Sequence, residues 1–204
     1  QLDITWYGES ESVDETDSYY FTYNKQEKIL SYKVLGVFEK DASNVSFSRA
    51  NVATALNANV DNNGNVFSSL YETKVSMSGE KAKNYCFADA DLMENATKET
   101  IKGFKIYPSV IEITVANKTD YIYGNSLDYS SSSTDFSFSI TSGIYYEASL
   151  SNLGTPTYSS TYVGGTTNVG DDVDISVAFD NFNKNYHISA TNKGKLTVNK
   201  RPVV

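Results

Sequence analysis

Apolar and polar residues alternate along most of this chain, and the period typical of helices is nearly absent. Alternation places successive side chains on opposite faces of a strand, so that one face can be buried. Segments with this pattern recur about every 8–15 residues with turn residues between them, as in sandwiches and barrels. The predicted strands cover residues 2–6, 19–23, 29–38, 45–47, 71–77, 104–107, 110–115, 136–140, 173–179 and 195–198. The pattern alone therefore predicts an all-β fold.

Residues 87–101 are the one segment that competes as a helix. Their acidic residues tolerate a helix, but the apolar positions match the helical period poorly. A strand with a long loop is the favoured interpretation, and a short helix stays open as the alternative.

The two halves of the chain carry the same short motifs in the same order. Lys-Asn-Tyr occurs at residues 83–85 and again at 184–186, each time after an alternating strand. A short basic strand follows in each half and ends at a proline, Pro108 or Pro202. The 94 residues from one proline to the other approach the roughly 100 residues of a small β-sandwich. The chain therefore contains an internal repeat of domain size.

This repeat predicts two β-sandwich domains in tandem, covering residues 1–108 and 109–204. Pro108 lacks an N–H and restricts Tyr107 to extended conformations, so we expect a short and stiff linker. Residues 200–204 resemble the start of a further strand, and the first strand begins without a signal peptide. We therefore expect the chain to be a monomeric piece of a longer tandem array.

Composition narrows the class of protein. The net charge of −8 makes a nucleic-acid phosphate backbone an improbable partner. No apolar run approaches the roughly 20 residues of a membrane-spanning helix, so we expect no membrane insertion. A single Cys excludes an internal disulfide framework. With one Cys and two Met in a chain that contains 16 Tyr, few side chains are easily oxidised. These features favour an extracellular protein.

The second half resembles the MBG-type repeats of bacterial surface and secreted proteins, in the type named for a Tyr-Gly motif. The resemblance rests on Asp-Tyr-Ile-Tyr-Gly-Asn at 120–125, Asn-Val-Gly-Asp-Asp at 168–172 and Leu-Thr-Val-Asn-Lys-Arg-Pro at 196–202. The first half is similar to a sister repeat through Phe-Thr-Tyr-Asn at 21–24. It departs from the family at Lys25, where members have Gly.

This resemblance implies Ig-like modules that are attached to the cell surface or cell wall and act as stalks, spacers or adhesive units. The family offers no catalytic constellation, cofactor or metal that could be carried over to this chain. The matching motif residues are therefore structural positions.

Catalytic chemistry is difficult to assemble from the available residues. A Ser or Cys nucleophile needs a base, and the only His, His187, is interpreted as a residue on a sheet surface. Cys86 is interpreted as a small core residue. Carboxylate pairs for glycoside hydrolysis would have to come from residues 89–91 or 171–174, which are typical of turns and solvated faces. We therefore expect no enzyme.

Three acidic segments are candidate calcium sites. Residues 61–65 with Glu72 imitate the spacing of a calcium loop but have Val66 where that loop needs Gly. Residues 171–174 and the acidic run 9–17 have oxygen ligands without a defined loop. The prediction is no bound metal. A Lys–Asn isopeptide bond stays open, because no single pair is marked.

Aromatic residues raise the possibility of carbohydrate binding. Trp6, Tyr7, Tyr145 and Tyr146 are the candidate ligand residues, because flat rings stack on sugars. In a β-sandwich, alternate aromatic residues more often fill the core or pair across strands. The leading hypothesis is therefore a non-enzymatic stalk or spacer. The alternative is an adhesive or carbohydrate-binding module whose partner is a host protein, a matrix protein or a glycan.

Overall fold

The computed structural model describes residues 1–8, 19–58, 71–88 and 98–203. The chain is all-β with several sheets, as the alternation predicts. It divides into two compact units, Gln1–Pro108 and Ser109–Val204.

The first unit contains six strands within its described residues. They are β1 (Asp3–Tyr7), β2 (Tyr19–Thr22), β3 (Ser31–Leu35), β4 (Ser46–Asn51), β5 (Tyr71–Ser78) and β6 (Glu99–Tyr107). Short 3₁₀-helices lie at Glu39–Asn44 and Ala82–Asn84. One sheet has the order β2-β6-β5-β4, and β1 pairs antiparallel with β3 in the other. In the larger sheet β2 runs parallel to β6, whereas β6, β5 and β4 are antiparallel neighbours.

The core of the first unit follows from alternation along its strands. In β5 the residues at every second position are buried, namely Thr73, Val75 and Met77, and their neighbours are not. The fully buried Phe104 of β6 makes an edge-to-face contact with Phe21 of β2, with 5.3 Å between ring centroids. Such aromatic pairs add to the stabilisation gained by burial itself.

The second unit contains seven strands. They are β7 (Ser109–Val115), β8 (Lys118–Ile122), β9 (Phe138–Gly143), β10 (Thr155–Ser160), β11 (Val173–Asp180), β12 (Tyr186–Asn192) and β13 (Gly194–Asn199). A short 3₁₀-helix lies at Leu150–Leu153. One sheet has the order β10-β11-β13-β8 and the other has the order β12-β7-β9.

The core of the second unit draws on both of its sheets. Buried residues from β7, β8, β10, β11 and β13 form one cluster, in which Val115 comes from the three-stranded sheet. Phe138 of β9 contacts Phe179 of β11 edge to face, with 5.1 Å between ring centroids. This contact joins one sheet to the other, so the apolar faces of the two sheets share a core.

The two units have the same strand order in their larger sheets. In the first unit the closing strand β6 lies between parallel β2 and antiparallel β5, and β4 completes the sheet. In the second unit β13 lies between parallel β8 and antiparallel β11, and β10 completes the sheet. The strands that precede the two Lys-Asn-Tyr motifs, β5 and β11, and the closing strands, β6 and β13, therefore occupy equivalent places in two similar sheets.

The opening strands are also equivalent. Leu2 forms a parallel bridge with Phe87, two residues after the first Lys-Asn-Tyr motif. Ser109 pairs in parallel with Tyr186, the tyrosine of the second motif. In each unit the chain after this motif therefore lies beside the first strand.

Several expectations differ from the structure. β8, β10 and β12 were not among the strand ranges predicted above, although His187 of β12 was expected on a sheet, and β6 begins at Glu99 rather than at residue 104. Residues 29–30 and 36–38 of the predicted strand lie outside β3, which ends one residue before Gly36. The competing helix at 87–101, the acidic run 9–17 and the loop 61–65 fall wholly or largely outside the described residues.

Within the described ranges, no helix is long and apolar enough to cross a membrane. The longest of the helices is a 3₁₀-helix of six residues.

Candidate functional site

Trp6 does not offer a free ring face for a sugar. It lies on β1 and is 6% exposed, and its ring packs against that of Tyr32 on β3 with 6.2 Å between centroids. This burial corrects the expectation of an exposed Trp6. Tyr7, the next residue, points to the opposite face and is half-buried. Of this pair, only Tyr7 stays available as a predicted ligand residue.

Tyr145 and Tyr146 lie in the segment after β9, where both are half-buried. The Tyr145 ring is 4.8 Å from that of Tyr186, and its hydroxyl donates to the Ser149 carbonyl at 3.0 Å. Burial, and to a smaller extent the neighbouring Tyr186 and Glu147, together raise the pKa of Tyr145 to about 12. The Tyr145 hydroxyl is therefore a neutral donor at physiological pH.

Tyr146 is held through its backbone. Its N–H donates to the buried Tyr186 hydroxyl at 3.0 Å. Tyr145 and Tyr146 therefore both contact Tyr186, whereas Trp6 and Tyr7 belong to the other compact unit. Glycan binding by Tyr7, Tyr145 or Tyr146 stays a prediction.

Of the residues considered for catalysis, His187 and Cys86 belong to different compact units, and residues 89–91 lie outside the described part of the chain. His187 is exposed on β12, opposite Val110 of β7, as expected for a sheet surface. Cys86 is a free thiol of intermediate exposure, not a fully buried core residue. In the part of the chain that the structure describes, no group of three or more His, Cys, Asp or Glu residues is placed to hold a metal ion.

Two of the carboxylates in residues 171–174 form ion pairs with lysine side chains. Asp174 accepts from Lys195 at 2.7 Å and from Lys193 at 3.1 Å, and these two partners lower its pKa. Asp172 forms an ion pair with Lys195 at 3.1 Å. Asp171 accepts the N–H of Asn168 within a turn. A calcium ion would have to displace ammonium groups, so this segment is better described as an ion-pair network.

The closing strand β13 is tied to its parallel neighbour β8 by side chains as well as by backbone. The Asn199 amide donates to the carbonyls of Thr119 at 2.8 Å and Tyr121 at 3.1 Å. The N–H of Tyr123 donates to the Asn199 carbonyl at 2.9 Å. These three bonds lie at the end of β13, where the chain leaves the sheet.

Arg201 extends this attachment past the end of β13. Its Nε donates to the Tyr123 carbonyl at 2.9 Å, and its Nη2 donates to the Asn125 side chain at 2.7 Å. Gly124 lies between them with φ +82°, and the guanidinium is 3.4 Å from the position that a Cβ would take there. The Tyr-Gly motif and the exit motif are therefore one contact region.

The first unit has the corresponding backbone contact. The N–H of Tyr23 donates to the carbonyl of Tyr107, the last residue of β6, at 2.8 Å. Lys25, the residue where the resemblance expected Gly, has φ +62°. The left-handed turn is therefore kept although its residue is not Gly.

The sequence analysis identified the motif at 196–202 and the motif at 120–125, but it did not predict that they contact each other. Asn199 and Arg201 belong to the quoted motif at 196–202, and Gly124 and Asn125 belong to the motif at 120–125. Nothing in the sequence indicated that the two motifs bind each other, because about 75 residues separate them and the pairing comes from the parallel register of β8 and β13.

Comparisons with protein-family models, with curated proteins and with solved structures found no match for this chain.

Proposed function

We propose that this chain is a non-enzymatic stalk or spacer built of two Ig-like sandwich domains from a surface protein outside the cell. The observation that carries the proposal is the parallel pairing of each closing strand with an early strand of its own unit, β6 with β2 and β13 with β8. The bacterial surface setting is supported by the sequence resemblance and by the composition.

Parallel pairing determines how a unit responds to tension. The chain enters β8 at one end of the sheet and leaves β13 at the other, because parallel strands begin at the same end. Tension at the C-terminal end therefore slides β13 along β8 and loads their hydrogen bonds together, whereas tension at the N-terminal end first acts on β7, which is paired with β12 and β9. An antiparallel pair pulled from adjacent ends would open one bond at a time.

Side-chain hydrogen bonds strengthen the pairing of β13 with β8 at the exit of β13, where tension on the C-terminal end acts. Asn199 and Arg201 lie at the exit of β13 and bind four acceptors on the segment from Thr119 to Asn125. On its other side β13 is held by β11, so it is a central strand of its sheet. Because β13 is hydrogen-bonded to a strand on each side, we expect tension to detach it from the sheet later than an edge strand.

Ig-like architecture is the fold class that agrees best with these units. The second unit has seven strands in sheets of four and three, the count of an Ig constant-type domain. The strand order of the larger sheet recurs in the first unit. The parallel pairs distinguish both units from a purely antiparallel sandwich.

Single-molecule stretching of the full chain tests the proposal. With handles at both chain ends, we expect two unfolding events, each releasing up to about 320–390 Å, because the units are residues 1–108 and 109–204. The control uses cysteine handles at Thr155 and Asp180, which pair at one end of β10 and β11, with Cys86 replaced by Ser. Pulling there opens the strands in sequence, so the unfolding force should be several-fold lower.

Equal forces in the two geometries, or no resistance to pulling at the chain ends, would contradict a load-bearing role. The Arg201→Ala variant gives a second measurement. It should unfold at lower force when pulled from the ends and unchanged force when pulled at Thr155 and Asp180.

A further inference from the structure

The first and last segments of the second unit form one parallel pair that passes from one sheet into the other. β7 pairs with β12 in the three-stranded sheet, and β8 pairs with β13 in the four-stranded sheet. In both pairs the partners are 77 or 78 positions apart along the chain, so the register is kept across the change of sheet. Apart from the crossing itself, residues 109–122 and 186–199 therefore run side by side.

The crossing between the two sheets is short and closely packed. It takes Ala116 and Asn117 on one segment and Lys193 alone on the other. The N–H of Lys195 donates to the side-chain oxygen of Asn117 at 2.8 Å, so a side chain continues the pairing at this point. A Cβ on Gly194 would overlap the Ala116 carbonyl oxygen, which shows how closely the two segments approach. The chain therefore passes tension from β7 to β8 without slack.

Tension on the chain ends pulls these two segments in opposite directions. It enters one segment at Ser109, the start of β7, and the other at Asn199, the end of β13. Each segment carries the full tension where it is pulled and transfers it to its partner along the overlap. The hydrogen bonds at the two ends of the overlap are therefore loaded more than those in its middle.

Both ends of the overlap have additional side-chain hydrogen bonds. At the exit these are the bonds of Asn199 and Arg201 to the segment that contains β8. At the entry the hydroxyl of the buried Ser109 donates to the Ile144 carbonyl at 3.0 Å. The hydroxyl of Tyr186, which pairs with Ser109, accepts a backbone N–H at 3.0 Å. The added bonds therefore lie at the two positions that are loaded most.

We propose that residues 109–122 and 186–199 act as one load-sharing clamp, in which the entry pair β7–β12 and the exit pair β8–β13 yield together. This clamp rests on the stalk role of the chain and assigns the part of the second unit that carries the tension. Ser109 is a positioning residue of the clamp at its entry, as Asn199 and Arg201 are at its exit. The short crossing keeps the two pairs in step, because neither segment can lengthen there.

Stretching the full chain with a flexible insertion at the crossing tests the clamp. About ten Gly and Ser residues inserted between Ala116 and Asn117 give β7 slack, so β8 carries no tension until β7 has been released. We expect the single unfolding event of the second unit to split into two. The first should occur at about half the native force, because about half of the strand pairs are then loaded. A single event at the native force would overturn the proposal.

The matched control is the same insertion between Gly164 and Gly165, where nothing lies within 4 Å of either Cβ position. It should leave the force unchanged and lengthen one event by about 33–36 Å, which also identifies the event of the second unit. A native chain without resistance to pulling would refute the stalk role itself. Native resistance with an event that the insertion at the crossing does not split would refute only the clamp.

Ser109→Ala distinguishes a bond that carries tension from one that only stabilises the fold. This variant should lower the force measured between the chain ends. It should leave the force between handles at Thr155 and Asp180 unchanged, because tension applied there does not pass through β7. Asn117→Ala removes a hydrogen bond in the middle of the overlap, so it should lower the end-to-end force less than Ser109→Ala does. An equal or larger effect of Asn117→Ala would contradict the role of Ser109.

Discussion

The hydroxyl of Tyr186 accepts a hydrogen bond from the backbone N–H of Tyr146, with 3.0 Å between the two atoms. The first unit repeats this contact, since the Tyr85 hydroxyl accepts from the N–H of Phe38 at 3.2 Å. Both tyrosines are buried and both belong to the Lys-Asn-Tyr motif. The motif therefore fixes the loop that follows the second strand of each smaller sheet, which explains its place in the repeat.

Tyr186→Phe should destabilise the chain by about 1–2 kcal/mol, because the ring stays packed but the N–H of Tyr146 loses its acceptor. Chemical denaturation measures this as a lower midpoint with an unchanged slope. Tyr145→Phe is the matched control, because its hydroxyl bond to Ser149 is exposed. That control should cost less than about 0.5 kcal/mol. Similar losses from both variants would show that the Tyr186 hydroxyl has no special role.

Gly143 is required by two separate constraints. Its φ is +84°, and a Cβ there would overlap the Val110 carbonyl oxygen. Gly165 has the same φ of +84° but has nothing within 4 Å of its Cβ position. The two glycines therefore separate backbone strain from steric overlap.

Gly165→Ala should cost about 1–2 kcal/mol from strain alone. Gly143→Ala should cost clearly more, because β7 and β9 must also move apart, and it should raise hydrogen exchange in both strands. Thermal and denaturant unfolding give the two values. Equal losses of stability in the two variants would show that β7 can move away from residue 143 without an energetic cost.

Lys25 occupies a left-handed conformation that Gly adopts without strain. Relief of strain exceeds the additional entropy of Gly in the unfolded chain, so Lys25→Gly should stabilise the protein by about 0.5–1 kcal/mol. Lys25→Ala is the control, because it removes the same side-chain interactions and keeps the strain. A Gly variant no more stable than the Ala variant would show that the turn is unstrained.

The sequence predicted the strands with clear alternation and missed those without it. Val173–Asp180 was predicted almost to the residue, because its buried positions carry Val and Ile. Thr155–Ser160 was missed because Pro156 and small polar residues interrupt the pattern; the strand forms at the edge of its sheet, where a Pro is tolerated. Lys118–Ile122 was missed because only Tyr121 is buried in it.

The same logic applies to the candidate ligand residues. Leu2, Ile4 and Trp6 alternate, and in the structure Leu2 and Trp6 are both buried, so the choice of Trp6 as a ligand residue did not use the alternation along β1. Tyr145 and Tyr146 follow the end of β9, where alternation no longer applies and both rings are half-buried. The parallel pairing of β8 with β13 could not be predicted, because a local pattern of residues carries no information on which distant strands pair.

Asp135 should contribute to stability except in acid. The N–H of Asp128 and the ammonium of Lys118 lower its pKa below 3.8, the ordinary value. The unfolded chain therefore takes up this proton first as the pH falls, so the contribution is complete above about pH 4 and is lost below it. Asp135→Asn should destabilise the chain at pH 7, and the difference from the native chain should shrink as the pH falls towards 2.

The control for Asp135 is Asp120→Asn. Asp120 contacts the same lysine at 3.1 Å, but its side chain is 80% exposed. Exposed ion pairs contribute little, so this variant should unfold like the native chain at each pH. A constant difference between native and Asp135→Asn chains from pH 7 to pH 2 would contradict the role of its charge.

The stalk and the adhesive hypotheses differ most directly in glycan and matrix-protein binding by the full chain. A stalk predicts no saturable signal on an array of such ligands, whereas an adhesive module predicts one that depends on exposed rings. Tyr7→Ala and Tyr145→Ala are suitable variants, because both rings are half-buried. Trp6→Ala is unsuitable, since loss of its buried ring should cost about 3–5 kcal/mol and unfold part of the chain. A saturable signal that is lost in either tyrosine variant, with the fold intact by circular dichroism, would replace the stalk hypothesis with the adhesive one.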